Sequence, residues 1–73
     1  MPQEAVEVPL TGKIISVNVK QGDEVNEGDI LCILESMKME NPILAPVTGK
    51  IAKIEVAADQ LVSPGEIIAV IEY

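Results

Sequence analysis

The 73-residue chain has no histidine, no tryptophan and no phenylalanine, a single cysteine and a single tyrosine at its C-terminal residue. Without His and with one Cys, no familiar zinc or haem ligand set is available and no internal disulfide framework exists. Positive charge is scarce too. Five Lys stand against twelve Asp and Glu, for a net charge of −7, and no basic stripe or aromatic platform offsets that field, so a nucleic-acid partner is excluded. An acidic surface still steers association with basic docking sites on proteins. No apolar run approaches the length of a membrane span, and residues 1–30 lack the basic start and apolar core of a signal peptide. The expected compartment is the cytoplasm. No stretch of ten or more residues carries helical periodicity.

What the chain does have is Ile, Val, Leu and Ala, within a hydrophobic fraction of 48%. Residues branched at Cβ fit a pleated surface better than a helix. Seventy-three residues allow one small domain and a thin core. Such a core leaves only about 3–5 kcal/mol of stability and little room for a buried catalytic cavity. Cys32, within Ile30-Leu31-Cys32-Ile33-Leu34, reads as a small buried core residue.

The segment 8–36 can be laid without gaps on 45–73 at a constant offset of 37. Under that offset Thr11-Gly12-Lys13-Ile14 meets Thr48-Gly49-Lys50-Ile51, Pro9 meets Pro46, Val25 meets Val62, Gly28 meets Gly65 and Glu35 meets Glu72. Alternation or continuous apolar runs predict strands over 4–8, 13–19, 30–34, 41–45, 50–56 and 67–71, with short apolar points at Val25 and at Leu61-Val62. In the first copy Ile15, Val17 and Val19 are expected on one face. Gln21-Gly22-Asp23, Asn26-Glu27-Gly28-Asp29 and Ser63-Pro64-Gly65 are turn chemistry. Pro42 cannot donate to a ladder, so its strand should lie at an edge or begin there. The expected fold is all-β: a flattened barrel or sandwich of two interlocked copies related by an approximate two-fold axis. Residues 1–73 make one domain with the internal repeat 8–36 and 45–73. The connection between copies lies at one end and both termini at the other.

That connection is Glu35-Ser36-Met37-Lys38-Met39-Glu40. A tight turn there pushes Lys38 into solvent, with Met37 and Met39, unbranched and polarizable, either forming an interaction surface or covering the edge of the core. A nucleophilic lysine needs burial or nearby positive charge to bring its pKa down from about 10.4. Lys38 instead has Glu35 and Glu40 beside it and no His to act as base. There is no phosphate-cradling glycine loop and no nucleophile elbow. The chain is therefore expected to be no enzyme by itself, but a substrate for chemistry done by others.

Glu35-Ser36-Met37-Lys38-Met39-Glu40, followed by Asn41-Pro42-Ile43-Leu44-Ala45-Pro46-Val47-Thr48-Gly49-Lys50-Ile51, closely resembles the attachment site of biotin carboxyl carrier domains, and the resemblance covers residues 4 to 73. It implies two four-stranded antiparallel sheets with quasi-two-fold symmetry and the target lysine on an exposed hairpin. It further implies that biotin is joined covalently to Lys38 by a biotin protein ligase that reads the flanking Glu35, Ser36, Met37 and Met39. The group would then move between a biotin carboxylase and a carboxyltransferase. Ser36 stands where the family often has Ala. The short segment Val19–Val25 lacks the protruding thumb of many bacterial acetyl-CoA carboxylase carriers, which tilts the comparison toward pyruvate carboxylase, decarboxylase or transcarboxylase carriers. No Ala- and Pro-rich linker precedes the domain, so the chain reads as a stand-alone carrier or a piece of a longer polypeptide. Two alternatives stay open: a lipoyl carrier, which shares the fold and an acidic residue three before its lysine, and an unmodified docking module.

Overall fold

A computed structural model describes residues 1–73. The chain forms eight strands and no helix: β1 Gln3–Glu7, β2 Gly12–Val17, β3 Glu24–Val25, β4 Ile30–Ser36, β5 Met39–Leu44, β6 Gly49–Ile54, β7 Leu61–Val62 and β8 Ile67–Glu72. They pair antiparallel into two four-stranded sheets, ordered β1-β8-β6-β3 and β5-β4-β2-β7. No helix is long and apolar enough to cross a membrane. The strand β5, which contains Pro42, lies at the edge of its sheet and pairs only with β4. An edge is where a residue without an N–H is tolerated.

The inward faces of both sheets, with Val8, Ala45 and Val56 from the connections, supply a core of 15 buried residues, every one of them apolar. Ile14, Leu34, Ile51 and Ile71 are among those sealed from solvent, and Cys32 sits beside them at the place that Ala69 takes in the second copy. Two consecutive residues point inward in β4 and in β8, Leu31 with Cys32 and Ile68 with Ala69. In β4 this accompanies a register shift between Ile30 and Cys32, a bulge that places neighbours on the same side. The continuous apolar runs follow from that geometry.

A bulge also corrects the expected face of β2. The register shifts between Ile14 and Ser16, leaving Ile15 as the extra residue. Ile14 is therefore the buried one and Ile15 is exposed, while Val17 and Val19 only pack against the core partly buried. The same shift recurs between Ile51 and Lys53 in β6.

The turns of each copy are held by the other copy. Gly22 N–H donates to Ile51 O (2.8 Å), and Asp59 N–H, at the repeat-related place, donates to Ile14 O (2.7 Å). Gly28 N–H donates to Ala45 O and Gly65 N–H to Val8 O. The turns are also closed from within by side chains. Lys20 N–H donates to the Asp23 carboxylate, Asn26 N–H to that of Asp29 and Ser63 N–H to that of Glu66, with Ala57 N–H donating to the Gln60 amide oxygen. Part of the acidic surplus is thus turn chemistry. At the termini Tyr73 N–H donates to Pro2 O (3.0 Å). Counted along the repeat, this is the place where Ser36 faces Met39 in the other sheet.

Candidate functional site

The β4–β5 hairpin is the shortest possible connection between the copies. Ser36 and Met39 are its last paired residues, and Met37 and Lys38 alone make the turn. Both have positive φ, 54° and 65°, the conformation of a type I′ hairpin turn, whose twist matches that of the flanking strands. Asn-Gly is the usual occupant because a side chain in the left-handed region costs about 1–2 kcal/mol per residue. Here two long side chains sit there, held by the ladder on either side.

The result is presentation. Met37 is 92% exposed and Met39 67%, so neither covers the core edge. Lys38 is exposed at the tip, and the one salt bridge of the molecule, Lys13 to Asp59 (3.7 Å), does not involve it. The Lys38 amine is free to be acylated, which is the fit a covalent group such as biotin requires. No cluster of His, Cys, Asp or Glu could hold a metal ion.

The base of the hairpin is rigid where its tip is bare. Ser36 Oγ donates to Thr11 O (2.8 Å), anchoring the end of β4 to the loop before β2. The Asn41 side-chain amide donates to Met39 O (3.2 Å) and to Leu34 O (3.4 Å), linking β5 to β4. Glu35 stands directly opposite Glu40 across the β4–β5 pair and opposite Lys13 across β2–β4. The expected site residues Glu35, Ser36, Met37, Lys38 and Met39 therefore come together in one hairpin. Thr11, Gly12 and Asn41 were missed as its supports; the recurrence of Thr11-Gly12 at Thr48-Gly49 was the signal available for two of them.

Comparison with known proteins agrees with this geometry. The family profile described as "Biotin-requiring enzyme" matches residues 4–71. The glutaconyl-CoA decarboxylase subunit gamma of Acidaminococcus fermentans is 62% identical over 39 residues, 53% of this chain and 27% of that protein. The biotinylated protein TB7.3 homolog of Mycobacterium leprae is 45% identical over 42 residues, 58% of this chain and 59% of that protein. The matched stretch thus spans between about a quarter and three fifths of these curated relatives. Among solved structures, the urea carboxylase of Kluyveromyces lactis superposes with a TM-score of 0.90 at 32% identity, covering 99% of this chain and 6% of that one. A single-chain, multi-domain long-chain acyl-CoA carboxylase superposes with a TM-score of 0.88 at 28% identity, covering 93% of this chain and 7% of the other. With its two interlocked sheets and a lysine at the tip of the hairpin that joins them, the chain belongs to the biotin-requiring enzyme family of biotinyl and lipoyl domains.

Proposed function

We propose that residues 1–73 form a single biotinyl domain, repeat 8–36 and 45–73 included, in which Lys38 is the attachment point of biotin. The chain then serves as the carrier of a biotin-dependent carboxylase, decarboxylase or transcarboxylase. The observation that carries this reading is the exposed, unpaired amine of Lys38 on a two-residue turn between exposed Met37 and Met39.

Biotin, when bound, supplies a ring nitrogen that takes up a carboxyl group at one enzyme site and releases it at another. The residues of this chain hold the tether. The ladder through Ser36 and Met39 and the Ser36–Thr11 hydrogen bond fix the base, so the flexible portion is the Lys38 side chain and what it carries. Confinement on a tether raises effective concentration at both sites without any new contact. The ligase that activates the biotin carboxylate must supply the base for the amine, since no His is present in the chain. Glu35, Ser36, Met37 and Met39 are the residues it would read. The partners of this reading are a biotin protein ligase, a biotin carboxylase and a carboxyltransferase.

The test is intact mass and peptide mapping after co-expression with a biotin ligase and, separately, with a lipoate ligase. A single biotinyl adduct on Lys38, lost in Lys38→Arg with the fold unchanged, is the expected result. A lipoyl adduct would move the chain to lipoyl carriers, and no adduct from either ligase would leave a docking module.

A further inference from the structure

The duplication provides the molecule with its own control. Two clefts lie at repeat-related places. One, of about 460 Å³, opens beside the lysine hairpin between the start of β2, the end of β4 and β7. The other, of about 320 Å³, opens between the start of β6, the end of β8 and β3. Thr11-Gly12-Lys13, Glu35 and Val62 of the first correspond one for one to Thr48-Gly49-Lys50, Glu72 and Val25 of the second.

The fold accounts for those shared walls, because it acts on both copies alike. It does not account for the differences. Where the far cleft has Glu24, the hairpin cleft has Leu61, 77% exposed; where the far cleft has Asn26, it has Ser63. The neighbouring Val62 and Val25 go into the core in both copies, so Leu61 is not needed there. Met37, immediately before Lys38, adds a second exposed apolar side chain to the same cleft. Only the cleft within the lysine's neighbourhood carries exposed apolar side chains of this kind.

We propose that this cleft is a resting site for the bicyclic ring of the biotin borne on Lys38. It offers Leu61 and Met37 to the apolar part of the ring and the hydroxyl-bearing Thr11 and Ser63 to its polar ureido edge. The proposal rests on the attachment of biotin to Lys38 argued above. The site needs little intrinsic affinity, because a short flexible tether holds its ligand at roughly millimolar effective concentration. A site of millimolar affinity is then occupied about half the time, and the ring remains available for transfer.

The experiment uses the full chain, biotinylated by a biotin ligase and shown by intact mass to carry one adduct, with isotope-labelled methyl and amide groups for NMR. Expected are nuclear Overhauser contacts between ring protons and the Leu61 methyls, and shifts on biotinylation at Gly12, Leu61 and Ser63 but not at Gly49, Glu24 and Asn26. Leu61→Glu installs the residue that the other copy carries at an exposed site, so the fold is retained. It should abolish those contacts and speed capture by avidin about two-fold, as the half-occupied rest state is lost. An adduct whose shifts stay within residues 36–40, with capture unchanged in Leu61→Glu, overturns the resting site alone. A Leu61→Glu chain that is a slower ligase substrate, with no ring contacts in the parent, also overturns it and assigns the cleft to a partner. Absence of any biotin adduct by mass overturns the attachment reading and the resting site with it.

Discussion

Gly12 lays its bare Cα against the backbone carbonyl of Glu35, so closely that a Cβ there would lie well inside van der Waals contact with the oxygen and 3.1 Å from Leu34 Cδ1. Gly49 does the same to the carbonyl of Glu72. The obstacle is backbone in both cases, so a side chain could be admitted only by moving a strand. Gly12→Ala and Gly49→Ala should each destabilise the domain by about 1–3 kcal/mol, the usual cost of overpacking. Urea midpoints with unchanged m-values measure it, and only Gly12→Ala should also disturb the amide shifts of residues 35–40.

The left-handed turn at Met37 and Lys38 makes a second prediction. Replacing Met37 by Gly should relieve strain at φ 54° and stabilise the hairpin by up to about 1 kcal/mol, partly offset by the greater freedom of the unfolded chain. The same change removes the exposed thioether beside Lys38, so ligase kinetics should worsen while thermal stability rises. A parallel loss of both would show that the turn, not the side chain, is what the ligase needs.

Asp59 separates backbone from charge. It has φ 71° where the first copy has Gly22 at 94°, and its carboxylate pairs with Lys13 at 3.7 Å on an exposed surface. Exposed pairs of this kind contribute little. Asp59→Ala and Asp59→Gly both delete the pair, but Ala keeps the strain and Gly relieves it. The glycine variant should be the more stable of the two by about 1 kcal/mol, measured by chemical denaturation. Equal losses would assign the effect to the charge.

Burial pushes the Cys32 thiol above its ordinary pKa, because desolvation disfavours the thiolate. In the unfolded chain the thiol ionises near about pH 8.5. Above that pH the unfolded state binds fewer protons than the folded one, so stability must fall as pH rises, until the folded thiol ionises too. Cys32→Ala, the residue that the second copy has at Ala69, should remove this component of the alkaline decline. Denaturation midpoints between pH 7 and pH 10 for both chains test it.

Much of this was legible in the residues. Repeat, turns and seam were carried by side chains with strong local meaning: Gly28 against Gly65, Pro42 at an edge, Lys38 between two methionines. The inward face of β2 was not, because Ile14 and Ile15 are the same residue and a bulge leaves no mark in such a pair. The turn type was hidden as well, since Met37-Lys38 contains neither Gly nor Asn. The bonds from Gly22 to Ile51 and from Asp59 to Ile14 are made by main-chain groups, which any sequence possesses. Leu61 read as an ordinary strand residue until the structure set it beside the hairpin and opposite its counterpart, Glu24.

Each half closes its turns from within, but the carbonyls that brace those turns, Ile51 and Ala45 for one half and Ile14 and Val8 for the other, belong to the opposite half. A half-length chain would find those bracing carbonyls only in a second copy of itself. In such a dimer the place of Met37-Lys38 would be a break between subunits. The link through Met37-Lys38 joins the two halves covalently, so the two-fold arrangement of sheets has one tight turn between its copies and one exposed lysine upon it.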